Sequence, residues 1–387
     1  MSSSDIRVGI IGAGAAGLSC AVQLADIGCT DVVVLDQNHV AAGSSSLSVG
    51  MFTRSYFEPL DIDLRIWSHD FIGHLERNEG LALRRNGFLR YAHDDAELDL
   101  LSRGVQRQHQ HGITDSVMLT PAEIRQRFPD LLVEDLTGAM YLPEDGYLDG
   151  AVLCSIYQEV ATRHGVRVLG KAQILGVETI GSTFRLVTTR GDFDVDVVVN
   201  AAGAWSNRVA DLLDSPVSVI PQRHEAAVLR LTRPLSYLMP NVMDYVPGSA
   251  LDGAYFRHEG DYQLIAGVHS NEVHSDLAED PDSFPSRAGD AFIEQLAGLL
   301  ETRLGNVDDL TVEDTWAGLY PMSSDGVPIL GATAQAGVYA CTGLGGVGIY
   351  LSPIAGRLVA ESIVYGEFRA VNDAEPMMAR RFVESMN

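Results

Sequence analysis

Three glycines and one acid carry the first chemical signal in this chain. Gly12-Ala-Gly14-Ala15-Ala16-Gly17 sits between an apolar run at 6–11 (IRVGII) and residues 15–27, where Leu18, Val22 and Ala25 recur at helical spacing. Each glycine has a physical task. Gly12 permits a tight turn, Gly14 lets the backbone approach a pyrophosphate, and Gly17 lets the helix pack close to the sheet. The helix start, with Ala15 and Ala16 in its first turn, presents unsatisfied N–H groups to phosphate charge. Asp36 closes the next apolar run, 32–35 (VVVL), nineteen residues beyond Gly17, near the roughly 20 expected of an acid that accepts hydrogen bonds from ribose hydroxyls. Strand, glycine turn, helix, strand and acid in this order imply a bound dinucleotide.

The composition narrows the partners. The 387 residues carry 27 Lys+Arg against 52 Asp+Glu, a formal charge of −25, and 46% are hydrophobic. So apolar a chain is not disordered. So acidic a balance excludes nucleic acid and anionic membrane, which reward basic surface. Cys20, Cys29, Cys154 and Cys341 match neither a disulfide framework nor a metal spacing, so no metal site is expected and the thiols read as small buried hydrophobes. Residues 8–22 imitate the apolar part of a signal peptide, but Asp5 beside Arg7 is the wrong flank and the run is too short to span a bilayer. With no later apolar stretch of 18 residues recognised, no membrane span and a cytoplasmic setting are expected.

The elements that must position this chemistry follow from periodicity. Gly28 suits the residue after a helix ending near 27. A small-residue loop follows at 41–50 (AAGSSSLSVG), then helices over 61–79 and 94–111 flanking a strand at 87–92. Thr120-Pro121-Ala122-Glu123 is a capping box with Pro in the first turn, so a helix starts there. A helix over 149–164 feeds a strand at 166–169, and residues 184–199 read as a hairpin turning near Arg190-Gly191. From 217 to 270 the chain alternates as strands without βαβ rhythm, which predicts a second domain on an antiparallel sheet. An acidic loop at 271–287, a helix at 288–303, a strand in GVYACTG and a last helix at 352–364 complete the chain.

Glycine turns return near 200 and near 343, with the β-rich block between them. That layout resembles FAD-dependent oxidoreductases of the glutathione-reductase-like fold. Within these the chain is similar to the D-amino-acid oxidase superfamily, particularly glycine and sarcosine oxidases and the sarcosine oxidase β subunit. The resemblance runs through five segments in order. Gly43-Ser44-Ser45-Ser46 to Gly50-Met51 resembles the loop lining the flavin, and 138–149 (GAMYLPEDGYLD) the return to the FAD domain. Val197-Val-Val-Asn-Ala-Ala202-Gly203-Ala-Trp205-Ser206 resembles the second nucleotide-contacting turn, and Ile174 sits where a backbone contact to adenine falls. Trp316-Ala-Gly318-Leu-Tyr320-Pro321 resembles a segment over the flavin. Thr342-Gly343-Leu-Gly345-Gly346-Val347-Gly348 opens the last helix, where backbone amides face the ring.

The resemblance implies an α/β fold in which a Rossmann FAD domain (1–80, 146–215 and 311–387) is interleaved with an antiparallel-sheet substrate domain (81–145 and 216–310). It implies oxidation of the C–N bond of a primary or secondary amine, most of all an amino acid or N-methyl amino acid, by hydride transfer to FAD. A flavin subunit of a hetero-oligomeric dehydrogenase and a 2-hydroxy-acid dehydrogenase are the alternatives. The expected partners are this small substrate and O2 or another electron acceptor, with a homo- or hetero-oligomer open. Leu47 and Gly318 stand where other members attach flavin covalently, so FAD is expected to be non-covalent. Tyr320 replaces an Arg that holds substrate carboxylate, and Ile265 replaces a Lys that activates O2, with His269 aligned four residues later.

Five residues are therefore candidates for the substrate: Arg54, Tyr255, Arg257, His269 and Tyr320. Arg257 either binds a carboxylate bidentately or pairs with Glu259. Tyr255 shares its strand face and either orients the amine or fills the core. Arg54 supports flavin or substrate, and His269 is either an active-site or a structural polar group. Arg223 and His224 either border the site or decorate a domain crossing.

Overall fold

The computed structural model describes residues 6–247, 253–269, 279–305 and 310–384. Val8–Ile11 is apolar at every position, the pattern of a strand covered on both faces. It lies inside a six-stranded sheet of order Ile329–Ala332, Val338–Thr342, Val197–Asn200, Val8–Ile11, Val32–Leu35, Arg167–Leu169. All pairs are parallel except the first. One face packs on the helices Ala15–Asp26, Pro59–Glu79, Gly150–Arg163 and Gly348–Tyr365. The other is covered by an antiparallel three-stranded sheet of Ile174–Ile180, Thr183–Thr188 and Phe193–Val195 through Phe184, Leu186 and Val195.

Two expectations change here. The hairpin at 184–199 is real only as far as Val195. At Asp196 the chain leaves for the central sheet, because that carboxylate accepts from the backbone and guanidinium of Arg7. Arg7 thus pins the strand beside Val8–Ile11. The last helix runs over Gly348–Tyr365, longer than 352–364, with Pro353 inside it. Proline removes the N–H owed to the Ile349 carbonyl, and Ser352 Oγ donates to that oxygen instead, at 3.0 Å. From Gly345 to Tyr365 the segment is long and apolar enough to cross a membrane, which the sequence reading overlooked. It is 78% buried against the first helix and the sheet, so it is a core helix.

The second sheet has eight strands in the order Thr311–Ser323, Val219–Arg230, Gln263–His269, Gly253–Gly260, Asn241–Met243, Phe88–Ala92, Gly138–Leu142, Val117–Leu119. It is antiparallel but for one parallel pair, Asn241–Met243 with Phe88–Ala92. Thr311–Ser323 pairs along its length with Val219–Arg230 and so belongs to this sheet by hydrogen bonding. One face carries Leu89, Tyr91, Val242, Phe256, Leu264 and Ala266, packed on Phe292, Leu296 and Leu300 of the helix Asp290–Glu301. Strand alternation sends the intervening residues to the opposite face. The capping box at Thr120 forms as expected, heading the helix Pro121–Arg127. Of the acidic loop at 271–287, residues 271–278 lie outside the described residues.

Candidate active site

A cavity of about 350 Å³ runs from the first glycine turn to the second sheet. Its nucleotide end is built as the glycine spacing requires. Gly12 has φ +113°, and a Cβ there would overlap the Ala201 carbonyl. A Cβ on Gly17 would overlap the Gly12 carbonyl, so Gly17 lies behind the turn and does not line the cavity. Gly14, Ala15 and Ala16 line it. Asp36 does more than await a ribose. Its Oδ2 accepts from Ala13 N at 2.8 Å and its Oδ1 from Asn38 N at 2.7 Å, which fixes both flanking loops while the side chain lines the cavity.

The loop at 41–50 closes over this turn. Ser45 Oγ accepts from Ala15 N at 3.0 Å, and Ser44 Oγ donates to the Leu319 carbonyl at 2.5 Å. Gly43, Ser44, Ser45, Ile174, Ala202, Gly203, Trp205, Gly318, Gly343, Gly345, Gly346 and Gly348 all line the cavity. Val347 does not, and packs on the core instead. Trp205 donates from Nε1 to Asp282 Oδ1 at 2.7 Å, and Asp282 also pairs with Arg208. These contacts tie a loop of the second half to the nucleotide end. Sequence pattern gave no hint of Asp282.

The far end holds Tyr255, Tyr320 and His224, with Gly345, Gly346 and the start of the last helix at Gly348 lining the same cavity. His224 stacks on Tyr320 with ring centroids 3.8 Å apart. A Cβ on Gly346 would press into the Tyr320 ring, so glycine there is what lets the ring lie over the helix start. Burial pushes the Tyr320 hydroxyl up to about 12, with Tyr56 adding to it, and pushes Tyr255 well above its ordinary range. Both phenols remain protonated donors at neutral pH. His224 borders the site and is not surface decoration; its signal was its place two residues before Ala226, another lining residue on the same strand face.

Three candidates stand outside the lining. Arg54 is buried in an ion-pair network, with Nε on Asp145 at 2.7 Å and Nη2 on Asp115 at 2.7 Å. Arg257 takes the reading that pairs it with Glu259. It also donates to the Val49 carbonyl at 2.7 Å and lies over Tyr147, 3.9 Å from the ring centroid. His269 packs edge-on against Tyr245. Leu47 lines the cavity beside Gly318. Cys341 also lines it as a residue, with its thiol buried toward the Ala16 carbonyl and pushed up to about 12 by that burial.

These residues fit FAD. Ala15 and Ala16 open one helix at the first glycine turn, Gly345–Gly348 lead into another at the far end, and the Asp36 side chain lines the cavity. The lining would thus suit the phosphates, ring and ribose of that group. The profile of the family described as FAD dependent oxidoreductase (DAO) matches residues 7–362, and the chain belongs to that family. It is an FAD-binding enzyme of the oxidoreductase class.

Its relatives sharpen the comparison without naming a substrate. Glycine oxidase of Geobacillus kaustophilus is 27% identical over 92% of both chains. Its structure superposes with a TM-score of 0.80 over 97% of this chain and 98% of that one. Mouse mitochondrial sarcosine dehydrogenase is 25% identical over 99% of this chain, which spans only 42% of that relative's length. L-proline dehydrogenase from P. horikoshii shares the fold at a TM-score of 0.87, with 21% identity and 98% coverage of each chain.

Proposed function

We propose that this enzyme oxidises the C–N bond of a primary or secondary amine, with amino acids and N-methyl amino acids as its substrate class. The observation that carries this reading is the single cavity joining the dinucleotide cradle to a desolvated end lined by Tyr255, Tyr320 and His224. Glycine oxidase and sarcosine dehydrogenase, named for such substrates, support the class. FAD, held non-covalently since Leu47 and Gly318 offer no attachment, supplies a two-electron acceptor for the hydride on the carbon bearing the nitrogen. The chain's part is to place that C–H bond and exclude water. Tyr255 and Tyr320 donate hydrogen bonds to the substrate. The N–H groups at 345–348 meet negative charge with the positive end of a helix. Loss of hydride and a nitrogen proton leaves an imine, which water hydrolyses.

A second reading has a specific observation behind it. The similarity to sarcosine dehydrogenase, a relative named as a dehydrogenase, favours a flavin subunit of a hetero-oligomeric dehydrogenase. Ile265 in place of a Lys suits an acceptor other than O2. We also propose a cytoplasmic setting, supported by four buried free thiols.

Anaerobic titration of the yellow protein with a panel of amino acids, N-methyl amino acids and 2-hydroxy acids tests these readings. Bleaching by amino compounds alone is expected. Bleaching only by hydroxy acids overturns the C–N reading, and peroxide formed rapidly in air overturns the dehydrogenase one. Acid precipitation is expected to leave the flavin in the supernatant.

A further inference from the structure

Five arginines are buried among the described residues: Arg54, Arg65, Arg90, Arg257 and Arg303. Four have carboxylates within ion-pair distance. Arg54 has Asp145 and Asp115, Arg65 has Asp61, Arg257 has Glu259, and Arg303 has Asp244 and Asp135. Arg90 is 3% exposed and pairs with no carboxylate among the described residues. Its Nε donates to Ser55 Oγ at 2.7 Å and its Nη1 to the Tyr245 carbonyl at 2.6 Å, both neutral acceptors. A buried cation without a counter-charge is costly and is not explained by packing.

Its place in the second sheet explains it. Strand pairing sets Arg90, Met243, Tyr255, Gly267, Ala226 and Trp316 in one row across six strands. Residues paired across strands share a face, and Tyr255, Ala226 and Trp316 of this row line the cavity. Arg90 therefore rises from the site side of the sheet, two strand spacings, or roughly 10 Å, from Tyr255. Tyr255 leans away from it, its ring lying against Gly267. Met243, itself partly exposed, is the paired residue between them, and Arg90 and Met243 both stand just outside the cavity lining. Burial draws the Arg90 guanidinium down to about 10, with the phenols of Tyr56 and Tyr245 opposing. It is still a full cation at neutral pH.

We propose that Arg90 is the receptor for the substrate's carboxylate, the role that Tyr320 cannot fill and that Arg54 and Arg257 are prevented from filling by their own acids. This rests on the amino-acid reading above. The missing counter-charge arrives with the substrate, so an amine without a carboxylate would leave the cation unpaired. A planar guanidinium binds a carboxylate through two parallel hydrogen bonds.

The test uses the FAD-loaded enzyme and two readouts. Acetate, a carboxylate that cannot be oxidised here, is titrated against the flavin absorbance. Steady-state KM is measured for the best amino acid and for its carboxamide. Wild type is expected to bind acetate saturably and to prefer the amino acid over the carboxamide. Arg90→Met should weaken acetate and raise the amino-acid KM roughly 100-fold while leaving the carboxamide unchanged, with Arg90→Lys partly restoring both. Unchanged acetate affinity in R90M, or a wild type that shows no acetate response or takes the carboxamide equally well, overturns the proposal. If R90M does not take up FAD, R90K and the wild-type comparison decide. A wild type that no amino compound bleaches refutes the C–N reading, while the acetate titration still judges Arg90.

Discussion

Asp36→Ala separates two roles that one carboxylate combines. Its oxygens accept from Ala13 N and Asn38 N, and its side chain also faces the cavity where a ribose would lie. The ribose contact exists only with FAD bound. A hydrogen bond to a charged group contributes about 1.5–3 kcal/mol, so its loss weakens FAD by roughly ten- to 150-fold. The loop contacts exist with or without FAD. Ala13 is fully buried, so its orphaned N–H costs about 1–3 kcal/mol of stability in the FAD-free protein as well. Asp36→Asn retains one carbonyl acceptor and should lie between wild type and D36A on both measures. The assay is FAD titration of stripped protein by flavin fluorescence, beside urea unfolding of the same FAD-free samples. If D36A binds FAD within threefold of wild type and unfolds at the same urea concentration, the double role assigned to Asp36 is wrong.

Two further outcomes follow from buried charges. Asp145 is fully buried and accepts from both the backbone N and Nε of Arg54, so Asp145→Ala strands most of a buried cation and should cost about 3–5 kcal/mol in chemical unfolding. A loss under 1 kcal/mol would show that Asp115 alone suffices. His93, hydrogen-bonded first by Asp244 and also by Glu97, has its pKa raised to about 9. Its folded value exceeds the ordinary 6.5, so its contribution is full below pH 6.5 and is lost as pH rises through 9, at most about 3 kcal/mol. Urea midpoints at pH 6.5 and 9.5 should differ in wild type and converge in His93→Gln, and an equal slope in both proteins removes His93 as the cause.

The nucleotide end was legible in the sequence because its requirements are local. Gly17, which clears the Gly12 carbonyl, and Asp36, which holds Ala13 N and Asn38 N, act within a single βαβ unit, which fixes the residue types at fixed spacing. Gly12 in addition clears the Ala201 carbonyl of a distant turn. Helix starts were legible for the same reason, as at Thr120. The last helix was misplaced because proline normally marks a helix start, and only the tertiary environment shows Ser352 capping the carbonyl that Pro353 leaves open.

The substrate end was not legible, because it is made by strands far apart in the chain. Arg54 and Arg257 are the candidate cations when read along the sequence, where Arg90 is one more arginine in a strand. Which of Arg54, Arg257 and Arg90 is neutralised depends on whether Asp145, Glu259 or, among the described residues, no carboxylate faces it after folding. The sequence by itself determined a dinucleotide site, through short-range backbone geometry, and its resemblance to a family pointed to FAD. The tertiary structure alone decided which buried charge has no carboxylate beside it among the described residues, because a counter-ion is a matter of distance in space and not of spacing in the chain.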